Sequence, residues 1–187
     1  EYKISNPVNL DTPSTALRGK VWAYNLDPNG VFETHFGTKL KLNGKDHPAI
    51  NAGGNSLPAG AIVSDLGIQG DIVGMDTRGS FNVNNPKANS GIYFGENRVD
   101  QGEFNKISFC GLGTAISVAD NAEIDACNFC KLNTDGCCIG IYFAPRASYY
   151  TRINQCVFGD NPSYGIFADG NHTKNGCIHN LEISNNI

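Results

Sequence analysis

The chain of 187 residues has no apolar run of the length, about eighteen residues or more, that a membrane-spanning helix requires. Its N-terminal residues do not read as a secretory leader, lacking a basic stretch followed by an apolar core and a small-residue cleavage site. Basic residues are few, 14 against 18 acidic, and the formal net charge of −4 leaves no basic stripe for a phosphate backbone. Neither nucleic-acid binding nor membrane insertion is therefore expected. Leu, Glu and Lys are sparse, which argues against helical architecture. The sequence carries no His-Glu-x-x-His pattern, phosphate loop or dinucleotide fingerprint, so no cofactor, metal or nucleotide is expected.

What is present is glycine, 22 residues, together with many Asn and Asp, and these imply frequent turns. There are seven cysteines: Cys110, Cys127, Cys130, Cys137, Cys138, Cys156 and Cys177. The count is odd and all lie in the second half, unlike a small disulfide framework. Cys127-x-x-Cys130 with Cys137-Cys138 could suggest zinc. Most of these cysteines stand where neighbouring repeats carry apolar residues, so the reading is core packing by reduced thiols.

The chain repeats. Gly91-Ile92-Tyr93-Phe94 recurs verbatim as Gly140-Ile141-Tyr142-Phe143, with Gly165-Ile166-Phe167-Ala168 and Thr114-Ala115-Ile116-Ser117 as relatives. The isoleucines fall at 92, 116, 141 and 166, in steps of 24, 25 and 25. A second stripe reads Ile107-Ser108-Phe109, Cys127-Asn128-Phe129, Cys156-Val157-Phe158 and Leu181-Glu182-Ile183. Each is apolar–variable–apolar, the period of a strand with one buried face. Its steps are 20, 29 and 25: a trimmed loop at 118–123 gives the short step, and a longer one at 130–138 compensates for it. Upstream, Leu66–Gly70 matches Leu40–Gly44, and Asp71–Ser90 reads as a large insertion. About six repeats are expected between Leu40 and Ile183.

Short strands, no helical pattern and a period of roughly 25 residues predict an all-β, right-handed parallel β-helix, in which one turn cannot bury its inward residues but a stack can. A β-sandwich is the structural alternative. The inward column is predicted as Ile92, Ile116, Ile141 and Ile166, with Phe109, Phe129, Phe158 and Ile183 elsewhere around the turn. Lys41, Ser108, Asn128 and Glu182 are predicted to face solvent, and Gly and Asn to supply positive φ at the bends. Residues 1–37 read as a lead-in or N-terminal cap, with Val21–Tyr24 a strand and Phe32–Phe36 packing over the first turn. Residues 38–187 read as the β-helix, incomplete at its C-terminus and so a fragment of a longer one.

Gly37–Asp46, Ile62–Gly70 and the repeated Gly-Ile-Tyr-Phe and Cys-x-Phe units resemble bacteriophage tailspike proteins with pectate-lyase-like β-helices. The resemblance runs from Gly37 to Ile187 and is one of repeat style, shared with pectinases and surface adhesins. It implies a homotrimer on the virion tail that binds, and often cleaves, a bacterial surface polysaccharide such as O-antigen or capsule. It carries over no catalytic motif.

Hydrolysis of a glycosidic bond needs two carboxyl groups, about 5–5.5 Å apart for retention and about 6.5–9.5 Å for inversion. Stacked turns offset equivalent side chains by about 4.8 Å, so a corner rich in carboxylates can supply a pair. The corner after the Gly-Ile-Tyr-Phe stripe is the richest. It offers Glu96, Asp100, Glu103, Asp120 and Glu123 as acid or base, and Arg98, Arg146, Tyr149, Tyr150 and Arg152 to bind a sugar. Asp135 and Asp160 at the opposite corner are the alternative pair, though they sit in ordinary turn sequences. The bland reading of all of these is solvated corner charge, with the arginines pairing nearby carboxylates at little net gain. Three functions compete: a polysaccharide depolymerase, a glycan-binding adhesive or structural protein, and a Ca²⁺-dependent polysaccharide lyase. Carboxylates clustered on one strand face would favour the last, and here they are expected mainly at a corner.

Overall fold

The computed structural model describes residues 2–20, 37–53, 60–72, 77–95, 98–119, 121–170 and 177–187. Among these there is no helix, and every strand pairing is parallel. The strands form a nine-stranded, a six-stranded and a four-stranded sheet. From Glu103 onward the chain visits the three in rotation: Glu103–Cys110, Thr114–Val118 and Glu123–Asp125, then Asn128–Asp135, Ile139–Phe143 and Ala147–Tyr149. A parallel strand cannot find its hydrogen-bond partner nearby in sequence. Each repeat here finds it in the repeat before or after.

The isoleucine column forms as expected. Ile92, Ile116, Ile141 and Ile166 are in mutual register across the six-stranded sheet. The column continues down to Ile50 and Val8. Ile50, Ile92, Ile116 and Ile141 are fully buried. The glycines of the verbatim motif have a steric cause. A Cβ on Gly91 or Gly140 would lie within 2.7 Å of a Phe109 or Phe158 ring atom, respectively.

The second stripe is in a different register from the one its apolar spacing suggests. Phe129 lies opposite Phe104 and Ile153, and Ile153 opposite Ile183. Phe109 belongs to a separate column with Ile68, Thr134 and Phe158. The uneven steps therefore arise from a five-residue misalignment and not from compensating loops: the step from Phe104 to Phe129 equals that from Phe109 to Thr134. Upstream, Leu40 pairs with Ile68 and not with Leu66, while the long step from Leu66 to Ile107 stands. Ser108, expected to face solvent, is fully buried; Asn128 is half-buried and Glu182 exposed.

The five-residue misalignment has a backbone origin. Left-handed residues recur every five positions: Gln101, Lys106 and Gly111, then Ala126, Lys131 and Gly136, then Tyr150, Gln155 and Asp160. Each marks a bend. Gly and Asn were expected here, yet most positions carry other residues, for which the left-handed region costs about 1–2 kcal/mol. Hydrogen bonds to the next repeat hold them: Gln101 N donates to Asp125 O (2.8 Å), Ala126 N to Tyr149 O (2.8 Å) and Tyr150 N to His179 O (3.2 Å).

The pairing extends into the N-terminal segment, expected to lie outside the repeat. Tyr2–Ile4 pairs with Thr38–Leu42, Val8–Leu10 with Ile50–Ala52 and Ala16–Arg18 with Ile62–Gln69, all in parallel. Val21–Tyr24 and Phe32–Phe36 lie outside the described residues.

The interior is one contiguous cluster in which Phe94 meets Phe104 and Phe129 edge-on, at 5.0 and 5.8 Å, and Phe104 stacks on Phe129 at 5.3 Å. A smaller cluster covers the outer face of the six-stranded sheet, where Tyr93 and Tyr142 pack beneath Phe81 and Val83 of the insertion. The strands there are consequently buried on both faces. Of the cysteines, Cys110, Cys127, Cys137, Cys138 and Cys156 are buried and Cys130 is half-buried. Burial pushes the Cys127 thiol up to about 12 and the Cys156 thiol to about 11, so both stay protonated at neutral pH and act as small apolar side chains.

Two stability changes follow. Ile116→Ala should cost about 2–5 kcal/mol in urea unfolding, because it opens a cavity in a column packed from both sides. Ala126→Gly should stabilise by about 0.5–1 kcal/mol, since relief of the left-handed strain exceeds the roughly 0.5–1 kcal/mol entropy cost of glycine.

Candidate functional site

The sequence corner after the Gly-Ile-Tyr-Phe stripe is a sheet of its own, the four-stranded one, plus the turn that leads back to the nine-stranded sheet. Its strands Arg98–Asp100, Glu123–Asp125, Ala147–Tyr149 and Cys177–His179 alternate outward, inward, outward. Val99, Ile124 and Ser148 point in and are buried. Asp100, Asp125, Tyr149 and His179 form one outward row. The left-handed residues Gln101, Ala126, Tyr150 and Asn180 form the turn. Beyond it Glu103, Asn128, Arg152 and Glu182 form a second outward row on the nine-stranded sheet. Each row advances by about 4.8 Å per repeat.

Charges pair between repeats. The Arg98 guanidinium donates to Asp100 (2.5 Å) and to Asp125 (2.8 Å), and Arg146 pairs with Glu123. Asn128 Nδ2 donates to Glu103 Oε2 (3.1 Å), Asn154 Nδ2 to Asn128 Oδ1 (3.1 Å), and Arg152 pairs with Glu182 (3.2 Å). Hydrogen bonding to Asp100, with its charge, raises the Arg98 pKa; the side chain is 41% exposed, so the pairing contributes about 0–1 kcal/mol. The rings of Tyr149 and His179 stack, nearly parallel, at 5.4 Å. Tyr150 is 63% exposed and stands between two shallow clefts of about 220 and 360 Å³, both of which it lines together with Arg152.

Of the expected acids and bases, Asp100, Glu103 and Glu123 lie on this flank, while Glu96 and Asp120 lie outside the described residues. All the expected binding residues, Arg98, Arg146, Tyr149, Tyr150 and Arg152, lie on it. Asp125, Asn128, His179 and Glu182 were missing from the sequence-based set. They become visible once Arg98–Phe104, Glu123–Phe129, Ala147–Ile153 and Cys177–Ile183 are aligned as seven-residue units. Asp100 and Asp125 sit on a strand face and not in a corner loop, and Arg98 occupies the position between them.

The opposite corner carries a perturbed carboxyl, Asp135. Burial, and secondarily the charge of Asp160, push Asp135 above the usual carboxylate range. A raised carboxyl pKa is a shift in the direction a general acid requires. Among the described residues no group of three or more His, Cys, Asp or Glu is placed to hold a metal ion. Comparison with protein-family models, curated proteins and solved structures gives no match.

Because its folded value is raised, the stability contributed by Asp135 is complete below the ordinary carboxylate range and is lost as pH rises through the raised value. Asp135→Asn should remove that part of the pH dependence and raise stability at neutral pH. Urea midpoints measured from pH 3 to pH 7 test this, and an unchanged slope in the variant would refute it.

Proposed function

We propose that the chain is a right-handed parallel β-helix of the tailspike kind that binds a bacterial surface polysaccharide along the flank between its four-stranded and nine-stranded sheets. The rotation through three parallel sheets supports the solenoid reading, and parallel crossovers in one sheet are right-handed in about 98% of cases. The observation that carries the binding reading is the pair of outward rows, Asp100–Asp125–Tyr149–His179 and Glu103–Asn128–Arg152–Glu182, with Tyr150 standing between them. A row that renews its donors and acceptors every 4.8 Å or so matches a polymer of sugar rings better than a compact ligand. An exposed tyrosine supplies an apolar face with a polar tip.

Depolymerisation is the second reading. It is favoured by Asp100 and Asp125, whose strands are neighbours, so that their spacing of roughly 4.8 Å is close to the separation used by retaining hydrolases. The same strand-face placement bears on the lyase reading, in which paired carboxylates would hold Ca²⁺. Against that, Arg98 already bridges the two carboxylates and occupies the place between them. Attachment without cleavage fits a flank whose described carboxylates are largely engaged by arginine or asparagine. In the tailspike reading the polymer is bacterial and the protein acts at the cell surface from a virion tail, as a homotrimer; the adhesin and lyase readings place it outside the cell without a virion.

Retention on a panel of purified capsular and O-antigen polysaccharides tests the binding reading. One polymer should retain the protein, and Tyr150→Ala and Arg152→Ala should each weaken retention about tenfold. Release of defined oligosaccharides, abolished in Asp100→Asn and Asp125→Asn, would establish hydrolysis. Failure to bind any polymer in a panel that includes the host's own would sink the proposal.

A further inference from the structure

A third cleft lies away from this flank, on the outer face of the six-stranded sheet. It encloses about 170 Å³, roughly six water volumes at ~30 Å³ each, which is room for one sugar ring. Three successive repeats line it. Pro7 comes just before Val8, Pro48 just before Ile50, and Tyr93 just after Ile92, and Val8, Ile50 and Ile92 share one column of the sheet. The Tyr93 ring, 7% exposed, forms an apolar wall with the two prolines.

The polar side chains are Asp46, His47, Asn51 and Lys87, and Asn51 Nδ2 donates to Asn9 Oδ1 (3.3 Å). Lys87 and Asp46 are exposed and have no ion-pair partner among the described residues, unlike Arg98, Arg146 and Arg152 on the other flank. His47 Nδ1 lies 2.8 Å from Pro48 O. A carbonyl can only accept, so Nδ1 carries a proton, and whenever the ring is neutral Nε2 is the acceptor. The walls are held in place: Ser90 Oγ donates to Lys87 O (2.8 Å), Ala49 N to Ser90 O (2.9 Å) and Val8 N to Ala49 O (2.9 Å). The cleft is therefore preorganised and contains one cation and one anion with no ion-pair partner among the described residues, one amide, one imidazole and an apolar wall. Sites of this composition, largely apolar with a few convergent polar groups, are typical of small-molecule binding.

We propose that this cleft binds a single acidic sugar unit of the uronic-acid type. The carboxylate meets Lys87 in a charge-assisted hydrogen bond, ring hydroxyls donate to Asp46 and to His47 Nε2, and the C–H face lies on Tyr93 and the prolines. The inference is independent of binding or cleavage on the other flank.

Titration of the whole chain with D-glucuronic acid, followed by amide NMR, tests it, with D-glucose as the neutral control. Shifts should be confined to residues around His47, Asn51, Lys87 and Tyr93. Glucuronate should bind at least about tenfold more tightly than glucose, and Lys87→Glu should remove that preference. Lys87 is exposed, so the variant should fold, which its amide spectrum checks directly. Equal response to the two sugars, an unchanged preference in Lys87→Glu, or no shifts at these residues would overturn the proposal. Shifts at Tyr150 and Arg152 report on the other flank separately, so failure of one reading is distinguishable from failure of the other.

Discussion

Everything in this molecule depends on backbone pairing between repeats. No strand here can satisfy its N–H and C=O groups within its own repeat, and a buried, unpaired backbone group is costly. The chain must therefore return in register. The left-handed turn residues show how strictly. Gln101, Ala126 and Tyr150 differ in size and polarity, yet each adopts φ near +50° and donates its N–H to the repeat that follows. The conformational strain at each is accepted because a shift in register would break the hydrogen bonds of a whole strand and turn its apolar residues outward.

Register then dictates the surface. Once Val99, Ile124 and Ser148 are set inward, Asp100, Asp125 and Tyr149 are set outward in a row one strand spacing apart. Like charges in such rows repel, and arginines relieve this: Arg98 for Asp100 of its own strand and Asp125 of the next repeat, Arg146 for Glu123, and Arg152 for Glu182. These exposed pairs add little stability. They leave a polar, regularly spaced flank that includes an exposed tyrosine, which suits recognition of a repeating polymer.

The six-stranded sheet has the opposite surface. Its outward column carries Tyr93, Ser117, Tyr142 and Phe167, too apolar to stay bare, and the insertion lays Phe81 and Val83 over it. Burial of that face is not free of cost, since Ser117 Oγ and Thr114 Oγ1 are buried with no hydrogen-bond partner. Where the cover ends, beside Lys87, the acidic-sugar cleft opens over Tyr93.

The all-β character, the isoleucine column and the burial of the cysteines were legible in the sequence, because one side-chain type recurs at one spacing and the interior leaves little choice of residue. The register of the nine-stranded sheet was not. Bends every five residues place an apolar–variable–apolar triplet twice in each repeat, so Cys127–Phe129 matches Ile107–Phe109 by pattern while it pairs with Gly102–Phe104 in space. Composition placed the binding candidates on one flank, but not the partners of Arg98 or the proximity of Asp135 to Asp160. Those follow from which residue sits above which, a relation between chain segments a full repeat apart that only hydrogen-bond register decides. The cleft at Lys87 was hidden for the same reason: it is assembled from three repeats and an insertion, and no local stretch of sequence contains it.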